Sequence, residues 1–380
     1  MKIGIEGQRL FRVKKHGMDM VALELIKNLQ KIDLINEYFI FVKPDEDRLC
    51  LEETKNFHLI ELDGGPYPTW EQIALPKAAK KYGCDLLHCT SNTAPISTSI
   101  PLIITLHDII YLESVSILKK GGTWYQKTGN MYRRFVVPRV VSKSKKIITV
   151  SNFEKERIRK FFGFPESDQR LVAIYNGVSE HFHKVTDETE LKRVKDKYHL
   201  PDRYAFFLGN TDPKKNTKGV LQAFSKYLKE SNDPLSLVML DYDKNALNSL
   251  LNEIGDVDLI KHIHLTGYVV NTDLPSIYSQ CAVFLYPSLR ESFGIPMLEA
   301  MRCGSPVITS DTSSMPEVSG GAAMIINPFK PEEITEAMKL ILTDEKKSNE
   351  LIEKGFLQSA KFSWNAMAQE VLTLYYELEK

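Results

Sequence analysis

A chain of 380 residues, 43% hydrophobic and 26% charged, has the composition of an ordinary globular protein and is long enough for two cores. Its 49 basic and 49 acidic residues cancel, so the overall field speaks against nucleic acid as a partner. Five cysteines, at 50, 84, 89, 281 and 303, form no regular ladder, which argues for reduced thiols and the cytoplasm rather than a disulfide scaffold.

The chain begins MKIGIEGQRL, with Glu6 and Arg9 where a secretion signal would be apolar. The apolar run IPLIITLHDIIYL is interrupted by His107 and Asp108 and is too short to span a bilayer. The expected location is therefore cytoplasmic, at most peripheral to the inner face of a membrane. KIGIEG, YFIFVK, FHLIEL, LLHCTS, PLIITLHD and KKIITVS read as short buried strands, separated by helical patterns such as MDMVALELIKNLQKI. That alternation predicts a parallel sheet covered on both faces.

After LVAIYNGV the chain turns polar (HKVTDETELKRVKDKYHLPD), which reads as an inter-domain connection with a helix. A second cycle follows: YAFFLGN, LSLVMLD, IHLTGYV, AVFLYP, PVITSD and AAMIINP. The fold class is α/β, with two Rossmann-like domains expected over 1–185 and 186–360. A C-terminal helix over 361–380 is expected to pack back toward the N-terminal domain.

The most informative stretch is LRESFGIPMLEAMRCGSPVI, residues 289–308. Glu291 falls in a loop after a strand that Pro287 ends. Pro296 suits the first turn of a short helix, so Glu299 sits near its start. The N–H groups and partial positive charge at such a helix start favour an anion such as a phosphate. Taken singly, each carboxylate also reads as an ordinary charge, Glu299 complementing the helix dipole and Glu291 solvated. Upstream, GNTDPKKN places Lys214 and Lys215 in a strand-to-helix loop, where two cations can neutralise a diphosphate.

Together these elements resemble the retaining glycosyltransferases of family 4, which have the GT-B fold of two Rossmann-like domains facing across a cleft. The resemblance runs over almost the whole chain: KKHGMD, LHD, SNFEKERIRKFF, IYNGV, GNTDPKKN, TGYV, ESFGIPMLEAMRCGSPVITSDTSSMPEV and FSW. It implies that Glu299 holds the ribose hydroxyls of a nucleotide-sugar and that Glu291 faces the transferred hexose. Ser292 and the backbone N–H groups of Phe293, Gly294 and Ile295 are then expected beside the sugar and diphosphate. Lys214 and Lys215 match the basic pair on the diphosphate, and Val269 a base-contacting position. In the first domain, Gly17 matches a glycine near the β-phosphate and His107 a histidine near the sugar. A satisfied histidine at a strand end is the competing reading of His107.

Two departures stand out. Lys214 occupies a place that usually holds arginine, and loses the two-pronged grip on phosphate. Asp19 stands where a second glycine is common, and is expected at the helix start, held by the dipole. No cofactor or metal is implied. Asp241-Tyr242-Asp243 has the D-x-D form that binds Mn²⁺ in a different glycosyltransferase fold, but here it closes a strand. Cys84, His88 and Cys89 lack a second pair of zinc ligands.

The resemblance implies transfer of a hexose to a glycan or polyprenyl-linked acceptor in cell-surface polysaccharide synthesis, with mannose from GDP-mannose the first reading and glucose from UDP-glucose the next. A non-catalytic sugar-nucleotide-binding module is one alternative, against which the Glu291 and Glu299 pair speaks. A dinucleotide-dependent oxidoreductase is another, but GIEGQRL lacks the G-x-G-x-x-G turn it needs. Residues 115–146 hold nine lysines and arginines and no acid, interleaved with Trp124, Tyr125, Tyr132 and Phe135. They read either as a solvated basic face or as a peripheral contact with an anionic membrane.

Overall fold

The computed structural model describes residues 1–113, 124–231 and 233–379, and the backbone alone over 124–127. The chain divides into two compact units, Met1–Gly177 with Trp364–Lys380, and Val178–Ser363.

The first unit is built on β1 (Lys2–Glu6), β2 (Glu37–Val42), β3 (Phe57–Glu61), β4 (Leu86–Cys89), β5 (Leu102–Thr105), β6 (Lys146–Thr149) and β7 (Leu171–Ala173). These pair in parallel in the order β3-β2-β1-β4-β5-β6-β7. Its helices are α1 (Gly17–Ile32), α2 (Tyr67–Thr69), α3 (Leu75–Lys81), α4 (Ile110–Glu113), α5 (Trp124–Lys143) and α6 (Asn152–Phe162). A π-helical turn over Trp70–Ala74 joins α2 to α3. The expected strands are present because runs such as LLHC and LIIT bury every side chain, which only a sheet covered on both faces allows.

The second unit repeats the plan with β8 (Tyr204–Phe207), β9 (Ser236–Met239), β10 (Ile263–Leu265), β11 (Val283–Tyr286), β12 (Val307–Ser310) and β13 (Met324–Ile326). They are all parallel, in the order β10-β9-β8-β11-β12-β13. Around them lie α7 (Glu188–Tyr198), α8 (Thr217–Glu230), α9 (Lys244–Ile254), α10 (Leu274–Gln280), α11 (Ile295–Arg302), α12 (Met315–Ser319), α13 (Pro331–Thr343) and α14 (Glu345–Ser359). In each sheet the strand order reverses once, between β1 and β4 and between β8 and β11. Open parallel sheets bind ligands at the carboxyl ends of the strands flanking such a reversal.

The boundary between units falls before the expected residue 185. Residues 178–185 belong to the second unit because its side chains hold them: Arg302 donates to Val178 O at 2.8 Å, and Ser279 Oγ accepts from Val185 N at 2.9 Å. The polar segment read as a connection is likewise not a linker. Its helix α7 is tied down by Asp273, which takes Arg193 at 2.6 Å, Lys197 at 2.7 Å and the Tyr198 hydroxyl at 2.8 Å.

The last helix, α15 (Trp364–Glu379), packs along α1 within the first unit. Its Tyr375 hydroxyl meets His88 Nδ1 at 2.7 Å, while His88 Nε2 reaches Thr105 Oγ1 at 2.8 Å. Burial holds the His88 pKa down to about 3, so this histidine is a neutral structural bridge.

Candidate active site

The site is assembled at the reversal of the second sheet. After β8, Asp212 Oδ1 accepts from Lys214 N at 3.1 Å and starts a 3₁₀ turn over Pro213–Lys215. Asn216 ends that turn in the left-handed region, with φ of 60°, and its Nδ2 donates to Pro287 O at 3.1 Å and Pro328 O at 2.7 Å. Leu289 N donates to Lys214 O at 2.7 Å. The lysine turn is thereby fastened to the end of β11.

This fastening brings two of the expected residues together. Lys215 Nζ lies 2.5 Å from Glu291 Oε1, and both side chains are mostly buried, 16% and 13% exposed. Its ammonium also stands 5.2 Å from the centre of the Tyr286 ring. Lys214 differs: it is 42% exposed and 3.5 Å from Asp212.

The Glu291 loop is shaped by hydroxyls that the sequence reading passed over. Ser310, the last residue of β12, and Thr312 and Ser314 just after it spend their hydroxyls on carbonyls of residues 288–293. Ser313 Oγ accepts from Glu291 N at 3.1 Å. The only signal for them was the run SDTSS after a strand, which by itself reads as a polar turn.

Helix α11 follows Gly294 with no side-chain cap; Pro296 has no N–H and Met297 N donates to Gly294 O at 3.1 Å, so of its first three residues Ile295 supplies the helix-start N–H, the kind of group that favours an anion. Gly294 has φ of 99°, and a Cβ there would come within 2.5 Å of Met315 Cε. The backbone favours glycine here, and a Cβ would also displace the Met315 methyl, besides the close ligand approach expected from sequence. Gly294→Ala should therefore cost about 1–2 kcal/mol from the left-handed backbone alone, read as a lower Tm together with weakened nucleotide binding. Unchanged values of both would show that the loop relaxes freely.

Glu299 lies in the middle of α11, its Oε2 accepting from the Tyr278 hydroxyl at 3.2 Å. Part of its surface is open, yet the protein packed around the carboxyl outweighs that bond and pushes its pKa up to about 7. A partly neutral carboxyl with one donor is poised to take further donors, such as a pair of ribose hydroxyls. Val269 is 8% exposed, so what it can offer a base is its main chain.

Gly17 and His107 belong to the first unit. Gly17 is the exposed first residue of α1, with open space where a Cβ would stand. Asp19 sits two residues on, buried, and its Oδ2 accepts from His16 N at 2.9 Å, which is the helix-start position expected of it. His107 is 5% exposed; its backbone N–H donates to Asn92 Oδ1 at 2.6 Å, and Nε2 lies 3.0 Å from Thr90 O. Since a carbonyl can only accept, Nε2 carries the proton and Nδ1 is left as an acceptor. Burial holds the pKa below the ordinary imidazole value, so the ring is neutral.

Among the described residues, no group of three or more His, Cys, Asp or Glu is placed to hold a metal ion. Asp243 of the D-x-D caps α9, accepting from Ala246 N at 2.7 Å. The basic segment 115–146 lies partly outside the described residues. Within α5, Tyr132 turns inward to Glu71 at 2.5 Å, and Arg134 donates to Tyr111 O at 2.8 Å. Met131 and Phe135 are exposed, at 68% and 56%, beside Arg139.

The family described as "Glycosyl transferases group 1" matches residues 188–358, and "Glycosyltransferase Family 4" matches residues 16–182. The chain is 31% identical over 236 residues to the O-antigen chain mannosyltransferase B of Escherichia coli, covering 61% of this chain and 60% of that protein. It is 32% identical over 221 residues to the serotype-specific mannosyltransferase WbdA of the same organism, covering 57% of this chain and 27% of WbdA. The match thus spans less than two thirds of either relative. Among solved structures, an Anabaena HepE complex with UDP and glucose superposes with a TM-score of 0.74 at 16% identity, covering 99% of both chains. The protein belongs to the family 4, group 1 glycosyltransferases, and its two parallel sheets of seven and six strands form the GT-B fold.

Proposed function

We propose that the protein is a retaining, metal-independent hexosyltransferase that moves mannose from GDP-mannose to a glycan or polyprenyl-linked acceptor in cell-surface polysaccharide synthesis. Glucose from UDP-glucose is the next reading of the donor. The observation that carries it is the buried Lys215–Glu291 pair at the uncapped start of α11, with Glu299 three residues past Pro296 on the same helix. The two relatives named as mannosyltransferases support the choice of sugar.

In this reading Lys214, Lys215 and the N–H at the start of α11 stabilise the departing diphosphate, with Ser292, Phe293, Gly294 and Ile295 beside it. The acceptor hydroxyl attacks the anomeric carbon on the face that the diphosphate leaves. The C–O bond to the diphosphate breaks, the new C–O bond forms, and the hydroxyl proton passes to the leaving phosphate oxygen. Glu291, freed of part of its hold on Lys215, faces the hexose. His107 presents Nδ1 as an acceptor for a sugar hydroxyl, and Gly17 lies by the β-phosphate.

A panel of nucleotide-sugars, assayed for nucleotide release in EDTA, tests the reading. GDP-mannose should be turned over fastest and with undiminished rate under chelation. Activity abolished by EDTA and restored by Mn²⁺ would contradict metal independence, and an inverted product anomer by NMR would contradict retention.

The outer face of α5 carries a second, separable expectation. Met131 and Phe135 stand exposed on α5, with Arg139 over the Phe135 ring, and Lys143 and Lys145 follow. Arg134 is half-buried against Tyr111 O and Lys146 is bridged to Glu377 at 2.7 Å, so the exposed cations of this face are Arg139, Lys143 and Lys145. Neutralising Arg139, Lys143 and Lys145 should lower binding to anionic vesicles by at most about 1 kcal/mol per charge, more at low salt than at physiological salt. Equal co-sedimentation of wild type and variant at low salt would make this face merely solvated.

A further inference from the structure

Beyond the phosphates and ribose, the turns after β9 and β10 adjoin Val269, the position expected to contact the base. Asp241, just past β9, has φ of 40°, a left-handed backbone unusual for a residue with a side chain. Its N–H donates to Gly267 O at 3.0 Å, and Gly267 is itself left-handed at 69°. The chain ends of β9 and β10 are therefore locked into two coupled turns. Strain of this kind persists only where the surroundings impose it, and it concentrates at ligand sites. Tyr242 is buried and Asp243 is spent on the start of α9, but the Asp241 carboxylate is exposed. On the neighbouring turn the Tyr268 ring is 70% exposed.

The position is the right one for a base. Phosphate-binding groups sit at the ends of β8 and β11. Adjacent strands are about 4.8 Å apart, so β10 lies about 10 Å from β8, comparable to the reach of a nucleoside from its phosphate to the far edge of its base.

We propose that Asp241 reads the base of the donor, that the base is guanine, and that Tyr268 stacks on its face; this rests on the nucleotide-sugar reading above. Guanine offers two donors side by side, N1–H and N2–H, which match the two oxygens of a carboxylate as a guanidinium does. Uracil offers one N–H between two carbonyl oxygens, which a carboxylate repels. Adenine and cytosine set a ring acceptor beside their amino group. Stacking on Tyr268 accepts any base, so discrimination falls to Asp241.

Calorimetric titration of the full chain with GDP, UDP and ADP tests the assignment. Wild type should bind GDP at least about tenfold tighter than UDP or ADP, the scale of one charged hydrogen bond. Asp241→Asn, which tolerates the left-handed backbone, should remove that preference by weakening GDP and by relieving the repulsion that keeps UDP and ADP weak. Tyr268→Ala should weaken all three alike. A wild type that binds UDP as tightly as GDP, or a GDP preference that survives Asp241→Asn, overturns the proposal. Glu299→Gln separates the two levels. If it weakens all three nucleotides, the donor site stands whatever the base; if it weakens none, the donor reading falls as well.

Discussion

Replacing Lys215 by methionine is expected to lower turnover by about 10²–10³-fold, the usual consequence of removing one group that stabilises developing charge on a leaving oxygen. Two effects separate in this variant. Lys215 is mostly buried against Glu291, so its loss strands a carboxylate in a place with little water. Breaking such a pair costs on the order of 3 kcal/mol of stability, at the low end of the range because both side chains keep some exposure. The double variant Lys215→Met/Glu291→Gln removes the stranded charge. It should recover most of the lost Tm and none of the turnover. Chemical denaturation and nucleotide-release kinetics on the three proteins check both halves. Wild-type turnover in a stable double variant would show that the pair is structural alone.

The second large effect concerns Glu299. Burial raises its pKa to about 7, so between about 4.5 and 7 the folded protein holds a proton that the unfolded chain has released. The stability linked to that proton is present below about 4.5 and is lost as pH climbs through 7. Nucleotide binding runs the opposite way, because ribose hydroxyls donate to the carboxylate and favour its charged form. Affinity should therefore rise as pH approaches 7 and level off above it, with a proton released on binding. Glu299→Gln should lower affinity by about 1.5–3 kcal/mol and abolish that part of the pH dependence, leaving only the contribution of the diphosphate. Titration in buffers of different ionisation enthalpy reads the proton directly. A variant with wild-type affinity at pH 8 would remove Glu299 from the site.

Much of the fold was legible in the sequence because its determinants are local. Runs such as YAFF and VFLY have no polar position to turn toward water, so they fit only a sheet buried on both faces. Pro296 announces the start of α11, and Asp19 the start of α1. The polar segment around Glu188–Tyr198 was misread as a connection for the same reason. Its composition is that of a surface, and only the distant Asp273 fixes it to the second unit.

The candidate site divides along the same line. The presence of Glu291, Lys214 and Lys215 in strand-to-helix loops, and of Glu299 in the helix after Pro296, follows from sequence, since the signals lie at the neighbouring strand and helix boundaries. That Lys215 rather than Lys214 engages Glu291 does not, because the two residues are 76 positions apart and meet only when β8 and β11 become neighbours in the sheet. The Ser310–Ser314 hydroxyls, the raised pKa of Glu299 and the left-handed turn at Asp241 are likewise products of packing. So is the union of His88 with Tyr375, across 287 positions. Periodicity and capping act within a few residues, whereas desolvation and side-chain pairing depend on which segments the closed sheet and its helices bring into contact. The sequence by itself settled the α/β class and the two cycles of strands, and it pointed to the residues proposed for the chemistry. The tertiary structure decided their partners, their burial and the place where the chain passes from one unit to the next.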